Sequence, residues 1–230
     1  MNPTGRLVHI FNKFGFDLFL VGGPVRDRLM GTTSNDIDLT TNAPPERIKE
    51  LVQRAGATSI YTIGERFGTI GAIFDGQTLE ITTFRSESYR SGSRKPEVQF
   101  GTSLEADLGR RDFTVNAVAQ DVHSGQIIDP HGGIADVVAR KIRSVGTADD
   151  RFREDPLRVL RCVRFAVQLD FDVDSTTLAA ARRNVPELQH ISAERIAAEL
   201  QLILLAQRPD RGLIMMLELG ILDLVIPELI

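Results

Sequence analysis

Apolar residues recur at two different spacings along this chain, and the change from one to the other limits what it can fold into. In the first hundred residues, short alternating or continuous apolar runs lie between turn signals, and 17–21, 36–40, 59–62, 69–74 and 78–84 predict strands. Helices are predicted among them over 5–15, 24–31 and 46–55. Asp75-Gly76, between the last two strands, predicts a tight hairpin turn. Residues 104–118 carry a further helical pattern, and the polar run 85–97 predicts a mobile loop. Beyond about residue 150 every segment reads as helix, at 155–169, 175–184, 192–206 and 209–219. The expected fold class is α+β, with a mixed head domain over 1–147 and an all-helical domain over 148–230.

Composition excludes several classes. The 230 residues are 42% hydrophobic and 25% charged, ordinary values for a water-soluble domain. No apolar run approaches the roughly 20 residues that span a bilayer. The first residues lack a signal-peptide layout, so no membrane association and a cytoplasmic location are expected. A single cysteine, Cys162, excludes an internal disulfide framework, and its surroundings predict a buried structural thiol. The four histidines, at 9, 123, 131 and 190, are scattered and define no metal site. The net charge of −4 runs against polyanion binding, but eight bases face four acids over 140–164, and five face ten over 170–230. The basic stretch fits a local phosphate site or a solvated helix face, and charge alone leaves both open.

The residues with chemical character lie at suggestive spacings. Asp36 and Asp38 are two apart on a predicted strand and so share a face, where a cation such as Mg²⁺ would relieve their repulsion, although such a pair by itself more often caps a turn or faces solvent. A dozen residues earlier, a strand leads into Gly22-Gly23-Pro24-Val25-Arg26-Asp27 and a helix. Such a glycine turn offers backbone N–H groups to an anion, and Arg26 offers a forked donor to phosphate. Glu80, on a later alternating strand, is either a third carboxylate for this site or an outward-facing residue. Arg110-Arg111-Asp112-Phe113-Thr114-Val115-Asn116-Ala117 is expected on a helix, with Arg111, Asp112 and Asn116 at a cleft edge. In the segment starting Glu154-Asp155-Pro156, Arg158, Arg161 and Arg164 recur every three residues opposite Leu157, Leu160, Val163 and Phe165. Asp155 and Arg158 present an acceptor and a donor array suited to a base edge, although the pattern alone favours a solvated, salt-bridged face.

Taken together these segments resemble the motifs of class II tRNA nucleotidyltransferases, the bacterial CCA-adding enzymes. Residues 20–31 with 36–41 resemble the first motif, 110–117 the second, 129–136 the third, 154–161 the fourth and 194–200 the fifth, in the family's order. The resemblance implies a polymerase β-like nucleotidyltransferase head, a small mixed sheet flanked by helices, followed by a helical neck. It implies that Asp36 and Asp38 are catalytic ligands of Mg²⁺ and that Gly22, Gly23 and Arg26 hold the triphosphate. Asp155 and Arg158 would read the base of CTP or ATP, and Arg111, Arg161 and Arg164 would complete the nucleotide pocket. The expected activity is template-independent addition of CMP and AMP to the 3′ end of tRNA, with no protein partner predicted.

Poly(A) polymerases share such a head and are the near alternative, but Asp36-Ile37-Asp38-Leu39 and Phe67-Gly68-Thr69 resemble the CCA-adding subgroup. The full-length look of the 85–97 loop favours addition of the terminal A over a CC-only enzyme. A truncated RNA-binding module is the non-enzymatic alternative. Family members run longer, with body and tail domains that grip tRNA, so this chain is expected to bind nucleotide while holding tRNA weakly.

Overall fold

The computed structural model describes residues 3–32, 37–88, 97–101 and 103–229. The chain divides into two compact units, Met1–Arg111 with Val115–Ile134, and Asp112–Thr114 with Ala135–Ile230.

The first unit is built on a mixed sheet. Its strands are β1 (Phe19–Val21), β2 (Ile37–Thr41), β3 (Ser59–Tyr61), β4 (Thr69–Phe74), β5 (Gln77–Thr83), β8 (Ala119–Asp121) and β9 (Ile127–Ile128), in the spatial order β3-β4-β5-β2-β1-β8-β9. Only the β2–β5 pairing is parallel among them, with Asp38 opposite Glu80 and Leu39 opposite Ile81. A separate antiparallel pair, β6 (Arg85–Ser88) and β7 (Glu97–Phe100), occupies both ends of the run expected to be a loop, and residues 89–96 lie outside the described residues. The hairpin between β4 and β5 turns on Asp75 and Gly76 with φ of 52° and 82°. Two successive positive φ values match the right-handed twist of the flanking strands, as the Asp-Gly pair predicts.

Helices α1 (Pro3–Lys13), α2 (Gly23–Leu29) and α3 (Pro45–Arg54) contribute to one core with this sheet, and α4 (Leu104–Gly109) follows β7. Leu7 and Phe11 of α1, and Ile48, Leu51 and Val52 of α3, pack with Leu39, Ile70, Phe74, Leu79 and Ile81. Alternation along each strand then sends Asp38, Thr40, Glu80 and Thr82 to the other face of the sheet.

The second unit is helical, with α6 (Ala148–Glu154), α7 (Leu157–Gln168), α8 (Ser175–Asn184), α9 (Ala193–Leu204), α10 (Pro209–Leu219) and α11 (Leu222–Val225). The chain enters it through α5 (Gly133–Val138). A short parallel pair, β10 (Lys141–Ile142) with β11 (Asp172–Val173), groups residues 135–147 with these helices. Helix α7 is central, with nine of its twelve residues buried. Phe113 meets Phe165 edge-on, with ring centroids 5.8 Å apart. Gly212 lets α10 close on α9, since a Cβ there would stand 2.5 Å from Ile203 Cγ2.

One expected helix is cut short. The pattern over 104–118 forms α4 only as far as Gly109, and the segment expected to be helical around Arg111 is a turn and a single 3₁₀ turn at Thr114–Asn116. Asp112 Oδ1 accepts from the Phe113 N–H at 2.8 Å, and Thr114 N–H donates to the Arg143 carbonyl at 2.9 Å. Backbone donors that find partners this way no longer need the helical ladder. Every residue from Asp112 to Ala119 is also buried, which a helix with one apolar stripe does not achieve.

Gly71 illustrates how tightly the sheet is covered on its polar face. A Cβ there would stand 2.0 Å from Tyr61 Cε2 and Cζ, so the aromatic ring occupies the space that a side chain at 71 would need. Gly71→Ala is expected to lower stability by about 1–3 kcal/mol, read as a shift in the urea unfolding midpoint at unchanged slope. An unchanged midpoint would show that Tyr61 moves aside at no cost.

Candidate active site

The antiparallel register of β1 and β2 sets Phe19 opposite Thr40 and Leu20 opposite Leu39. It therefore brings Asp38 to the end of β1 from which the Gly22-Gly23 turn leaves. Gly22 has φ of 72°, a conformation that costs a side-chain-bearing residue about 1 kcal/mol or more. The helix that follows has only seven residues, so its dipole is a minor source of positive potential. Two guanidinium groups supply more. A Cβ on Gly22 would stand 3.1 Å from Arg111 Nη1, and one on Gly23 would stand 3.5 Å from Arg26 Nη2. The structure thus brings together Gly22, Gly23, Arg26 and Arg111, four residues expected to share a site.

Each arginine is anchored from within the same unit. Arg26 is 9% exposed, and its Nε and Nη2 donate to Asp27 Oδ1 at 2.9 and 2.7 Å. Its Nη1 donates to Asn116 Oδ1 at 2.7 Å. Arg111 Nη1 donates to the Asn116 carbonyl at 3.3 Å, and Arg111 Nη2 reaches Asp107 Oδ2 at 3.5 Å. Asp107 is fully buried and also accepts from Arg110 Nε and Nη2 at 3.0 and 2.8 Å. The adjacent Arg110 and Arg111 therefore share one buried carboxylate. Asp107 escaped sequence analysis because an acid in the first turn of a helix reads as an ordinary N-terminal charge.

Asp38 is half-buried and Glu80 exposed, in register on neighbouring strands and on the face away from the apolar core. Glu80 stands beside Asp38 on this face of the sheet and is also outward-facing. Tyr61 lies toward the same place; burial and then the Glu80 charge hold its hydroxyl above the usual phenol range. Asp36, the other expected ligand, lies outside the described residues. The oxygen-only donor pair fits a hard divalent cation, which Asp38 with Glu80 would help to hold.

In the second unit, Asp155 caps the end of α6 and precedes Pro156 and α7. Asp155 and Arg158 do not bond to one another through their side chains in any described contact. Asp155 Oδ2 accepts from Arg195 Nη2 at 2.8 Å and Oδ1 from the Leu157 N–H at 3.2 Å. Arg158 is 8% exposed and donates from Nη1 to Glu154 Oε2 at 2.9 Å and to the Arg151 carbonyl at 3.1 Å. Glu154 also takes Arg151. Arg161 donates from Nε to Asp112 Oδ2 at 2.8 Å and lies 3.7 Å from Glu199 Oε1. Burial works against the Arg161 charge, but Asp112 and then Glu199 outweigh it and raise its pKa above the ordinary guanidinium value. Arg164 Nε forms an ion pair with Glu199 Oε2 at 3.2 Å. The arginine stripe is salt-bridged as its spacing suggests, but it is half-buried to buried rather than solvated. Glu199 is 7% exposed on a helix otherwise largely open to water, a placement that helical periodicity does not reveal.

The chain matches two family models, the "Poly A polymerase head domain" over residues 18–143 and the "Probable RNA and SrmB- binding site of polymerase A" over 170–230. It belongs to the poly A polymerase head-domain family. It is 40% identical over 216 residues to the CCA-adding enzyme of Geobacillus thermodenitrificans, covering 94% of this chain and 52% of that one. A crystal structure of the Bacillus stearothermophilus CCA-adding enzyme in complex with CTP superposes with a TM-score of 0.84 at 38% identity, covering 96% of this chain and 53% of that one. A tRNA nucleotidyltransferase complexed with a primer tRNA and an incoming ATP analog gives 0.80 at 30% identity, covering 96% and 60%. This chain spans about half the length of the curated relatives it matches. The mixed α+β head and helical second unit expected from the resemblance are the fold observed. Among the described residues no helix is long and apolar enough to cross a membrane.

Cys162 is fully buried, and burial followed by the nearby Asp112 charge pushes its thiol up to about 12. The nucleophilic thiolate is therefore essentially absent near neutral pH. Folded protein at pH 8 is expected to leave a thiol-reactive dye unconsumed over minutes, with one equivalent reacting after denaturation. Fast reaction in the folded state would place Cys162 in an open environment.

Proposed function

We propose that this chain carries the nucleotide-addition chemistry of a CCA-adding enzyme, transferring CMP and AMP from CTP and ATP to the 3′ end of tRNA in the cytoplasm. The single observation that carries the proposal is the placement of Asp38 at the strand end beside a Gly22-Gly23 turn flanked by Arg26 and Arg111. Kinship at about 40% identity to CCA-adding enzymes supports it. Catalysis is assigned to the head, residues 1–147, and base recognition to 148–230.

In this reading Asp36 and Asp38 would hold Mg²⁺, with Glu80 beside Asp38. When bound, the cation neutralises developing charge on the transferred phosphoryl group and activates the attacking hydroxyl. The turn and the two guanidinium groups bind the triphosphate and orient its α-phosphate. A bond forms from the RNA 3′ oxygen to that phosphorus, the bond to the bridging oxygen breaks, and pyrophosphate leaves. Holding the reactants in line supplies much of the acceleration, because little covalent chemistry is asked of the protein.

Cytosine and adenine share one edge pattern, an exocyclic amino donor beside a ring-nitrogen acceptor. Asp155 accepts from the amino group and Arg158 donates to the ring nitrogen, with Arg161 and Arg164 completing the pocket. Uracil and guanine carry a carbonyl where the amino group stands and so meet a carboxylate with no proton to share. Asp155 can take the base while keeping Arg195, because an ionised carboxylate has about four acceptor sites.

The family model is named for poly A polymerase, so long adenylate tails are the competing product. Labelled CTP and ATP supplied to a tRNA lacking its 3′ terminus are expected to add three nucleotides and stop. Asp38→Ala should lower the rate by about a hundredfold or more. Long A tails would assign poly(A) synthesis, and an unaffected Asp38→Ala rate would remove the metal assignment. Asp155→Asn, which offers an amide donor to a carbonyl, should narrow the preference for CTP over UTP by about tenfold or more. An unchanged preference would place base recognition elsewhere.

A further inference from the structure

We infer that Asn116 is a positioning residue for triphosphate binding, orienting Arg26 through its side chain and Arg111 through its backbone without cancelling their charge. The inference rests on the proposed phosphate role of the Gly22-Gly23 turn and names what holds that turn's cations in place.

Arg26 is buried, and a buried charge must find fixed partners or lose stability. Asp27 meets one edge of its guanidinium, at Nε and Nη2, and Asn116 Oδ1 meets Nη1 at 2.7 Å. Acceptors on separate edges fix the plane of the group. Because a guanidinium only donates, the amide oxygen and not the amide nitrogen must face it. The carbonyl of the same residue takes Arg111 Nη1 at 3.3 Å. These are the two cations whose Nη atoms come within 3.1 and 3.5 Å of the Cβ positions on Gly22 and Gly23. One residue, 7% exposed and 90 positions along the chain from Arg26, thus ties both to the turn.

The neutrality of the amide matters. Asp27 already places one negative charge against Arg26. A carboxylate at 116 would make a stronger, charge-assisted bond to the same atom. It would also offset the positive potential that a triphosphate needs, by an amount comparable to one charge a few ångströms away. Structural support and ligand binding therefore predict opposite consequences for one substitution.

The test is calorimetric binding of CTP and CMP with Mg²⁺ to wild type, Asn116→Asp and Asn116→Ala, alongside thermal unfolding. Wild type should bind CTP more tightly than CMP. Asn116→Asp should unfold at the wild-type temperature or above and lose about tenfold in CTP affinity, with CMP affinity unchanged within twofold. Asn116→Ala should also lose CTP selectively, and it decides the matter if the Asp variant does not fold. A CTP-to-CMP ratio unchanged by either folded variant overturns the inference while leaving the site assignment intact. A wild type that binds CTP no better than CMP overturns the phosphate site itself, and the inference with it.

Discussion

Two guanidinium groups stand against a turn that has no side chains of its own, and much of the first unit is arranged to keep them there. A buried cation is costly unless its donors are met, and Arg26 and Arg111 are met by Asp27, Asn116 and the fully buried Asp107. The absence of Cβ atoms at Gly22 and Gly23 is the other half of the arrangement, because a methyl group at Gly22 would come within 3.1 Å of Arg111. Helix α2 is too short to supply the same potential through its dipole. The positive character of the turn comes from Arg26 in the helix that follows it and from Arg111, delivered from far along the chain.

The sheet places a negative centre beside that positive one. Leu39 and Ile81 turn into the apolar core with Phe11 and Ile48, and a period of two then forces Asp38 and Glu80 to the opposite face. Slipping either β2 or β5 by one residue would turn that strand's carboxylate into the core and expose a core aliphatic, so hydrophobic burial protects the chemical face. Tyr61, occupying the space that a side chain at 71 would need, packs the same face close to Glu80.

In the second unit the governing constraint is that α7 is surrounded. A helix buried on nearly every side can keep Arg158, Arg161 and Arg164 only if each finds an acid, and Glu154, Asp112 and Glu199 serve that purpose. Asp112 and Arg111 are consecutive, yet Arg111 bonds within the first unit and Asp112 within the second. Two adjacent charged residues thus act as separate anchors, and the stretch that carries them cannot also be a helix.

The strands, the Asp75-Gly76 hairpin and the helices beyond residue 150 were legible in the chain because periodicity and turn chemistry act over a few residues. Gly22, Gly23, Arg26, Asp38, Asp155 and Arg158 were legible as candidates because their spacing on a strand, a turn or a helix start is itself a local property. What local pattern could not decide was partnership. Whether Glu80 lies beside Asp38 depends on a parallel pairing across forty residues, and whether Arg26 meets Asn116 depends on contacts ninety residues apart. The irregular path around Phe113 depended on Asp112 and the Arg143 carbonyl satisfying backbone donors that a helix would otherwise have claimed. Sequence alone determined which groups were available and which elements carried them. Tertiary structure decided which charges were paired, because burial and electrostatic partnership are set by distance in space and not along the chain.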